Sequence, residues 1–338
     1  MNEIVKQTIT DMFYMLGSSS LSKRVMHSRA GKITILMYHR VLPANEIKNQ
    51  PFNFYSIVSL ERFEEQLKFL VNNYRLISLD NITEYYLNND VPAAVITFDD
   101  GFKDNLEYAL PVLKKYKVPG TIFITTRFPE GDCSIWWFEI EEICDSRLSL
   151  KFSWMGENYF WDLSKYEKKK KCFLDLRTLI LKQPNKQLVD KLLDTIRQGG
   201  KAKTYDNLLL TWDEILLLGR ESLITIGAHT HNHLNLKSLS YDDAMFELGR
   251  SKELIEKYLC RPVNNLAFPC GSRREADTRE FQLAEKSGFK TAVTTENAII
   301  RQNSNLFSLP RQQVLESDDI YRLSIKLSNW NAFFNVQL

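Results

Sequence analysis

From Lys32 onward, short apolar runs alternate with longer amphipathic ones, and this rhythm restricts the fold more than any other feature of the chain. Residues 33–38, 93–98, 121–124, 223–228, 265–268 and 290–293 read as buried strands. Residues 60–73, 79–88, 105–116, 212–218, 241–259 and 275–288 read as helices. Strands separated by crossover helices pair in parallel, so the pattern predicts an α/β fold. If such a sheet closes into a barrel, reactive groups gather at the carboxyl ends of its strands. His39, Asp99, Asp100, His229, His233, Pro269 and Cys270 all lie at or just beyond such ends.

Two clusters stand out at those ends. Three of the five histidines fall in His229-Thr230-His231-Asn232-His233, and Thr97-Phe98-Asp99-Asp100-Gly101 follows the apolar residues 93–96. Carboxylates and imidazoles are costly to gather in an apolar framework unless something pairs with them, and a divalent cation does so. A helical turn after Ala228 would put His229 and His233 on one face; a continuing strand would align His229, His231 and His233. Gly227 and the polar residues after it favour a turn, hence the pair, with His231 in a supporting or exposed position. Asp99 and Asp100, as neighbours in extended chain, point to opposite sides, so one can ligate a metal while the other addresses water. A plain Asp-Asp-Gly turn is the bland alternative.

Composition excludes several classes. A net charge of +2 supplies no basic field for nucleic acid. Cys133, Cys144, Cys172, Cys260 and Cys270 are scattered and odd in number, which argues against a disulfide framework or a thiolate zinc site. No stretch approaches the roughly 20 apolar residues of a membrane span. Residues 1–20 make a poor signal peptide, and a cytoplasmic setting is expected. Ile4, Val5, Thr8, Ile9, Met12, Phe13 and Leu16 recur at helical spacing beside Lys23, Arg24, Arg29 and Lys32; this helix packs on the main domain or a partner subunit, or rests on an anionic membrane surface. The expected organisation is an amphipathic helix and linker over 1–31, a catalytic unit over 32–315 and an extension over 316–338. Between about 131 and 207 the rhythm breaks into a partly helical insertion, with a lysine-rich helix over 165–182. Trp136 and Trp137 open it, either as a sugar-stacking wall or as a buried pair.

The two clusters together resemble the signatures of the polysaccharide deacetylases, the NodB-like carbohydrate esterases. Thr97-Phe98-Asp99-Asp100-Gly101 looks like the first signature, and His229-Thr230 with His233 like the second. Leu266-Ala267-Phe268-Pro269-Cys270-Gly271 and Leu309-Pro310-Arg311 extend the likeness across roughly residues 32–315. The resemblance implies a distorted (β/α) barrel that hydrolyses the N-acetyl group of a sugar in a surface polysaccharide, oligosaccharide or glycolipid. It makes Asp99 the general base and gives Asp100, His229 and His233 a divalent metal, zinc first, with cobalt or nickel as substitutes. Ile35-Leu36-Met37-Tyr38-His39-Arg40-Val41 looks like the N-terminal motif of the permuted branch acting on poly-N-acetylglucosamine, which carries the acid role onto His39.

Two positions depart from the family pattern. Asn265-Leu266-Ala267 stands where an arginine usually orients the catalytic aspartate, leaving Arg311 as the candidate substitute. Cys270 stands where a tyrosine is common, so the pocket wall formed with Phe268 and Pro269, or a backbone oxyanion contact there, differs. An O-acetyl esterase, another amide hydrolase and a non-catalytic glycan-binding barrel are the competing functions.

Overall fold

The computed structural model describes residues 33–47, 57–88, 91–131, 134–298, 300 and 304–327. The expected N-terminal helix and His27 lie outside these residues. The strands are β1 (Ile33–Tyr38), β2 (Arg40–Leu42), β3 (Ile57–Ser59), β4 (Arg75–Leu76), β5 (Ala93–Phe98), β6 (Gly120–Ile124), β7 (Ser149–Trp154), β8 (Glu157–Asp162), β9 (Ile224–Ala228), β10 (Asn265–Ala267), β11 (Thr291–Val293) and β12 (Gln312–Gln313). The main sheet runs β11-β10-β9-β6-β5-β1-β12, with β4 beside the start of β5, and every pairing in it is parallel. One short stretch links its two ends. Leu309 bridges Val293 in parallel, while Gln312 and Gln313 pair with Leu36 and Met37 of β1. The sheet thereby curls into a distorted (β/α) barrel.

The period of two along each strand decides what faces inward. Ile33, Ile35, Ala93, Val95, Phe123, Ala267, Val293 and Leu309 form one small core inside the curl. The alternate residues Leu36, Tyr38, Ala94, Ile96, Phe98, Ile122, Ile124, Ile226 and Ala228 join a larger core under the helices. Continuing the inward series one step past each strand reaches His39, Asp99 and His229. Gly227, expected to favour a turn, instead lies within β9. A Cβ there would meet the Phe123 ring at 2.5 Å and the Asn265 carbonyl at 3.0 Å, so glycine is required by the narrow interior.

The outer layer follows its apolar stripes. Helix Leu60–Asn73 buries Phe63, Leu67 and Leu70 and is capped by the Ser59 hydroxyl, which accepts from the Arg62 N–H. Helix Tyr241–Leu259 is capped in the same way by Ser240. The expected 79–88 helix starts as a 3-10 turn over Leu79–Asn81, and the 105–116 helix as a π turn over Asn105–Ala109.

The insertion is more elaborate than its sequence suggests. Helix Trp136–Ser146 leads into the antiparallel hairpin β7–β8, then helices Tyr166–Leu181 and Lys186–Arg197. Its apolar residues, among them Trp154, Phe173, Leu176 and Leu192, belong to the same core as the barrel's outer face. Arg197 and Glu139 pair across its first and last helices. At the C-terminal end, helix Ile320–Leu327 and the loop before it clamp Leu60–Asn73: Glu316 accepts from Ser59, and Gln66 donates to the Asp318 carbonyl.

Candidate metal centre and active site

β5 and β9 are separated in the sheet only by β6, which brings their carboxyl-terminal turns face to face. Asp100 follows β5 in a left-handed conformation (φ 75°) that breaks the strand. His229 and His233 follow β9, and they meet through a turn instead of a helical face: Thr230 (φ 62°) and His233 (φ 54°) are both left-handed. The Nε2 atoms of His229 and His233 each stand 3.3 Å from Asp100 Oδ1. One ligand atom from each of the three residues lies within 4.8 Å of the others, and all three residues are buried.

The chemistry of this set fits a cation. A carbonyl oxygen only accepts, so His229 Nδ1, 2.7 Å from the Ala267 carbonyl, must carry the hydrogen, which directs the lone pair of the neutral ring at Nε2 toward Asp100. Asp100 Oδ1 completes no hydrogen bond in this arrangement. Lone pairs converging in a buried volume repel unless a positive charge sits among them, and a carboxylate with two imidazoles suits a divalent ion. Burial opposes ionisation of Asp100, but protonated imidazoles donating to it would outweigh burial and hold the carboxyl well below the usual range; with neutral rings that task falls to a cation. Burial pushes His233 down, favouring the neutral ring.

Asp99 is held separately. Arg311, fully buried, grips its two oxygens from NH1 and NH2 at 2.7 Å each, while its Nε donates to the Thr294 carbonyl at 2.9 Å. Burial works to raise the Asp99 pKa, but Arg311 and then His229 prevail and keep it below the ordinary value. Arg311, on the segment that links the sheet's ends, thus pairs with Asp99 from outside the strand that carries Asn265.

His39 lies half-buried directly after β1, one residue past Tyr38, whose carbonyl accepts the Asp99 N–H at 3.0 Å. Its neighbours are braced by residues that pattern reading passed over. Asn105 donates to the His39 carbonyl at 2.8 Å, and Asp104 accepts from the Val41 N–H and from Arg40 Nε. Glu247 was also missed: its carboxylate takes the His231 and Asn232 N–H groups and the Asn232 amide, fixing the turn that carries His233. A signal for it existed. Glu247 interrupts the buried stripe Ala244, Leu248, Ser251, Leu254 and Ile255, where an ionisable group needs a partner.

The expected substrate wall is partly corrected. Trp136 and Trp137 are only 6% and 4% exposed, so they form a buried pair and not a stacking face; Trp137 backs His233, with ring centroids 4.5 Å apart. Phe268 turns outward against Phe281, and its N–H is taken by the Val293 carbonyl. Pro269 is buried and has no N–H. Cys270 remains at the site in a left-handed conformation (φ 58°), with burial pushing its thiol up to about 11. His231 faces away, its Nδ1 against the Thr126 hydroxyl.

Comparison with known proteins agrees with this geometry. The polysaccharide deacetylase family model matches residues 87–151 and 191–292, and its gap falls within the insertion. The Staphylococcus aureus poly-beta-1,6-N-acetyl-D-glucosamine N-deacetylase is 22% identical over 98% of this chain and 93% of its own. Streptococcus pyogenes deacetylase PplD, solved in complex with acetate, superposes with a TM-score of 0.58 at 22% identity, covering 88% of this chain and 99% of its own. IcaB from Ammonifex degensii gives 0.55 at 17% identity, covering 88% and 97%. With the two signatures, the barrel and the matched segments in agreement, the chain belongs to the polysaccharide deacetylase family.

Proposed function

We propose that this chain is a metal-dependent N-deacetylase that removes acetyl from N-acetylated sugars of a glucosamine-containing polysaccharide or its precursor. The observation that carries this reading is the convergence of Asp100, His229 and His233 beside an Asp99 gripped by Arg311. The names of the relatives, N-deacetylases of poly-beta-1,6-N-acetyl-D-glucosamine among them, support the substrate class.

Asp100, His229 and His233 would hold the ion. A divalent cation there, zinc by the fit of two imidazoles and one carboxylate, would polarise the acetyl carbonyl and acidify the attacking water. Asp99, kept ionised by Arg311, takes the proton from that water as its oxygen attacks the carbonyl carbon. The Cys270 N–H is the one donor of the 268–270 stretch left to face a developing oxyanion, since Phe268 has spent its own and proline has none. An amine leaves poorly unless protonated, so His39 gives a proton to the nitrogen as the C–N bond breaks, yielding acetate and the amino sugar.

The test is acetate release by metal-loaded protein from matched N-acetylated and O-acetylated saccharides. Release from the N-acetylated set, lowered at least ~100-fold in Asp99→Asn, is expected. Release from the O-acetylated set alone would make the chain an esterase. Intact metal binding with no release from either would leave a glycan-binding barrel.

A further inference from the structure

A concavity of about 400 Å³ opens beside Cys270, and its chemistry differs from that of the metal centre. Cys270 belongs to its wall together with Arg177. Arg177 comes from the insertion helix Tyr166–Leu181, whereas Arg273 and Arg274 come from the loop after β10. Three arginines thus line one cavity, although the Arg273 side chain is 79% exposed. Two carboxylates also line it, but both are engaged within its own walls. Glu275 is 8% exposed and accepts from the Ser272 hydroxyl. Glu296 accepts the Arg273 N–H and faces the Arg273 side chain at 4.0 Å.

The deacetylation chemistry does not use these arginines. Asp99 already has Arg311, and the amino sugar formed by the reaction is a cation that a guanidinium cluster repels. Guanidinium groups converging from two chain segments match the oxygens of a phosphoryl group, which they engage through paired N–H donors. We propose that this concavity is an anionic subsite, and that the sugar whose N-acetyl group enters the metal centre carries a phosphoryl group seated between Arg177 and Arg274. This rests on the deacetylase reading and narrows it from neutral polymer to phosphoryl-linked saccharide, carried on a nucleoside or on a lipid.

Acetate release by the metal-loaded full chain should be compared on three substrates with one N-acetylated sugar: a neutral oligosaccharide, a nucleoside diphosphate conjugate and a polyprenyl pyrophosphate conjugate. At least one conjugate should exceed the neutral substrate at least tenfold in kcat/KM, and the better conjugate identifies the carrier. Arg177→Gln with Arg274→Gln should reduce that preference at least tenfold, and Arg177→Lys should keep part of it. Separately, inorganic phosphate titrated into the Asp100→Asn chain, whose metal set is broken, should bind at least tenfold more weakly once both arginines are replaced. Thermal melting of each variant verifies that it is folded. Equal kcat/KM on all three substrates, or phosphate affinity unchanged by the arginine substitutions, overturns the subsite while leaving the deacetylase reading standing. Arginine-dependent phosphate binding with no acetate from any substrate would sink the deacetylase reading and keep the site.

Discussion

Arg311 shows how much a single buried residue can decide. Its guanidinium is stripped of water, a cost repaid only by the full set of partners at Asp99, Thr97 and Thr294. Arg311→Met leaves the Asp99 carboxylate buried and unpaired, and should lower stability by about 3–5 kcal/mol in denaturant unfolding. Losing the first stabiliser of the ionised form also lets burial raise the Asp99 pKa, so the acid limb of the pH–rate profile should move upward. Arg311→Lys keeps the charge but loses the fork; a kcat/KM drop of ~100-fold is expected from steady-state kinetics. A wild-type rate in Arg311→Lys would deny the residue its orienting role.

At the scale of elements, the strands of the barrel and the crossover helices follow periodicity closely, whereas the insertion does not. β7 and β8 are amphipathic and joined by a tight turn, and they pack on helices that arrive later in the chain. Helix Trp136–Ser146 buries Glu141 with Oε1 unpaired, and burial pushes this carboxyl up to about 9. The sign follows from the raised value. Below the ordinary carboxylate pKa the neutral form costs nothing; as pH rises toward about 9 the folded state resists ionisation and stability is lost. Glu141→Gln should remove that slope and stabilise the protein by about 1–2 kcal/mol near pH 8, read from melting curves at pH 5 and pH 8. Parallel slopes in both proteins would contradict it.

For the whole molecule, the metal set joins the ends of β5 and β9 across β6, so an ion held there ties together strands distant in sequence. Zinc at about 100 times its dissociation constant should stabilise the fold by ~2.7 kcal/mol. That corresponds to a Tm increase of about 4 °C, reversed by a chelator and absent in Asp100→Asn. Equal melting with and without zinc would mean the three residues hold no ion. No described helix is long and apolar enough to cross a membrane.

What the sequence determined alone was whatever is local in the chain. The period of two and the helical stripes marked β1, β5, β9 and the helices Leu60–Asn73 and Tyr241–Leu259, and the spacing of Asp99, Asp100, His229 and His233 marked the chemistry. Arg311 stood out only as a family-pattern substitute, since its role depends on a contact 212 residues back along the chain. Glu247 under the histidine turn, the outward face of Phe268, the burial of Trp136 and Trp137, and the meeting of Arg177 with the 270–275 loop were decided by tertiary structure. Periodicity reports which face a residue occupies, but which distant face it meets is set by the order of strands in the closed sheet and by the packing of the insertion against it.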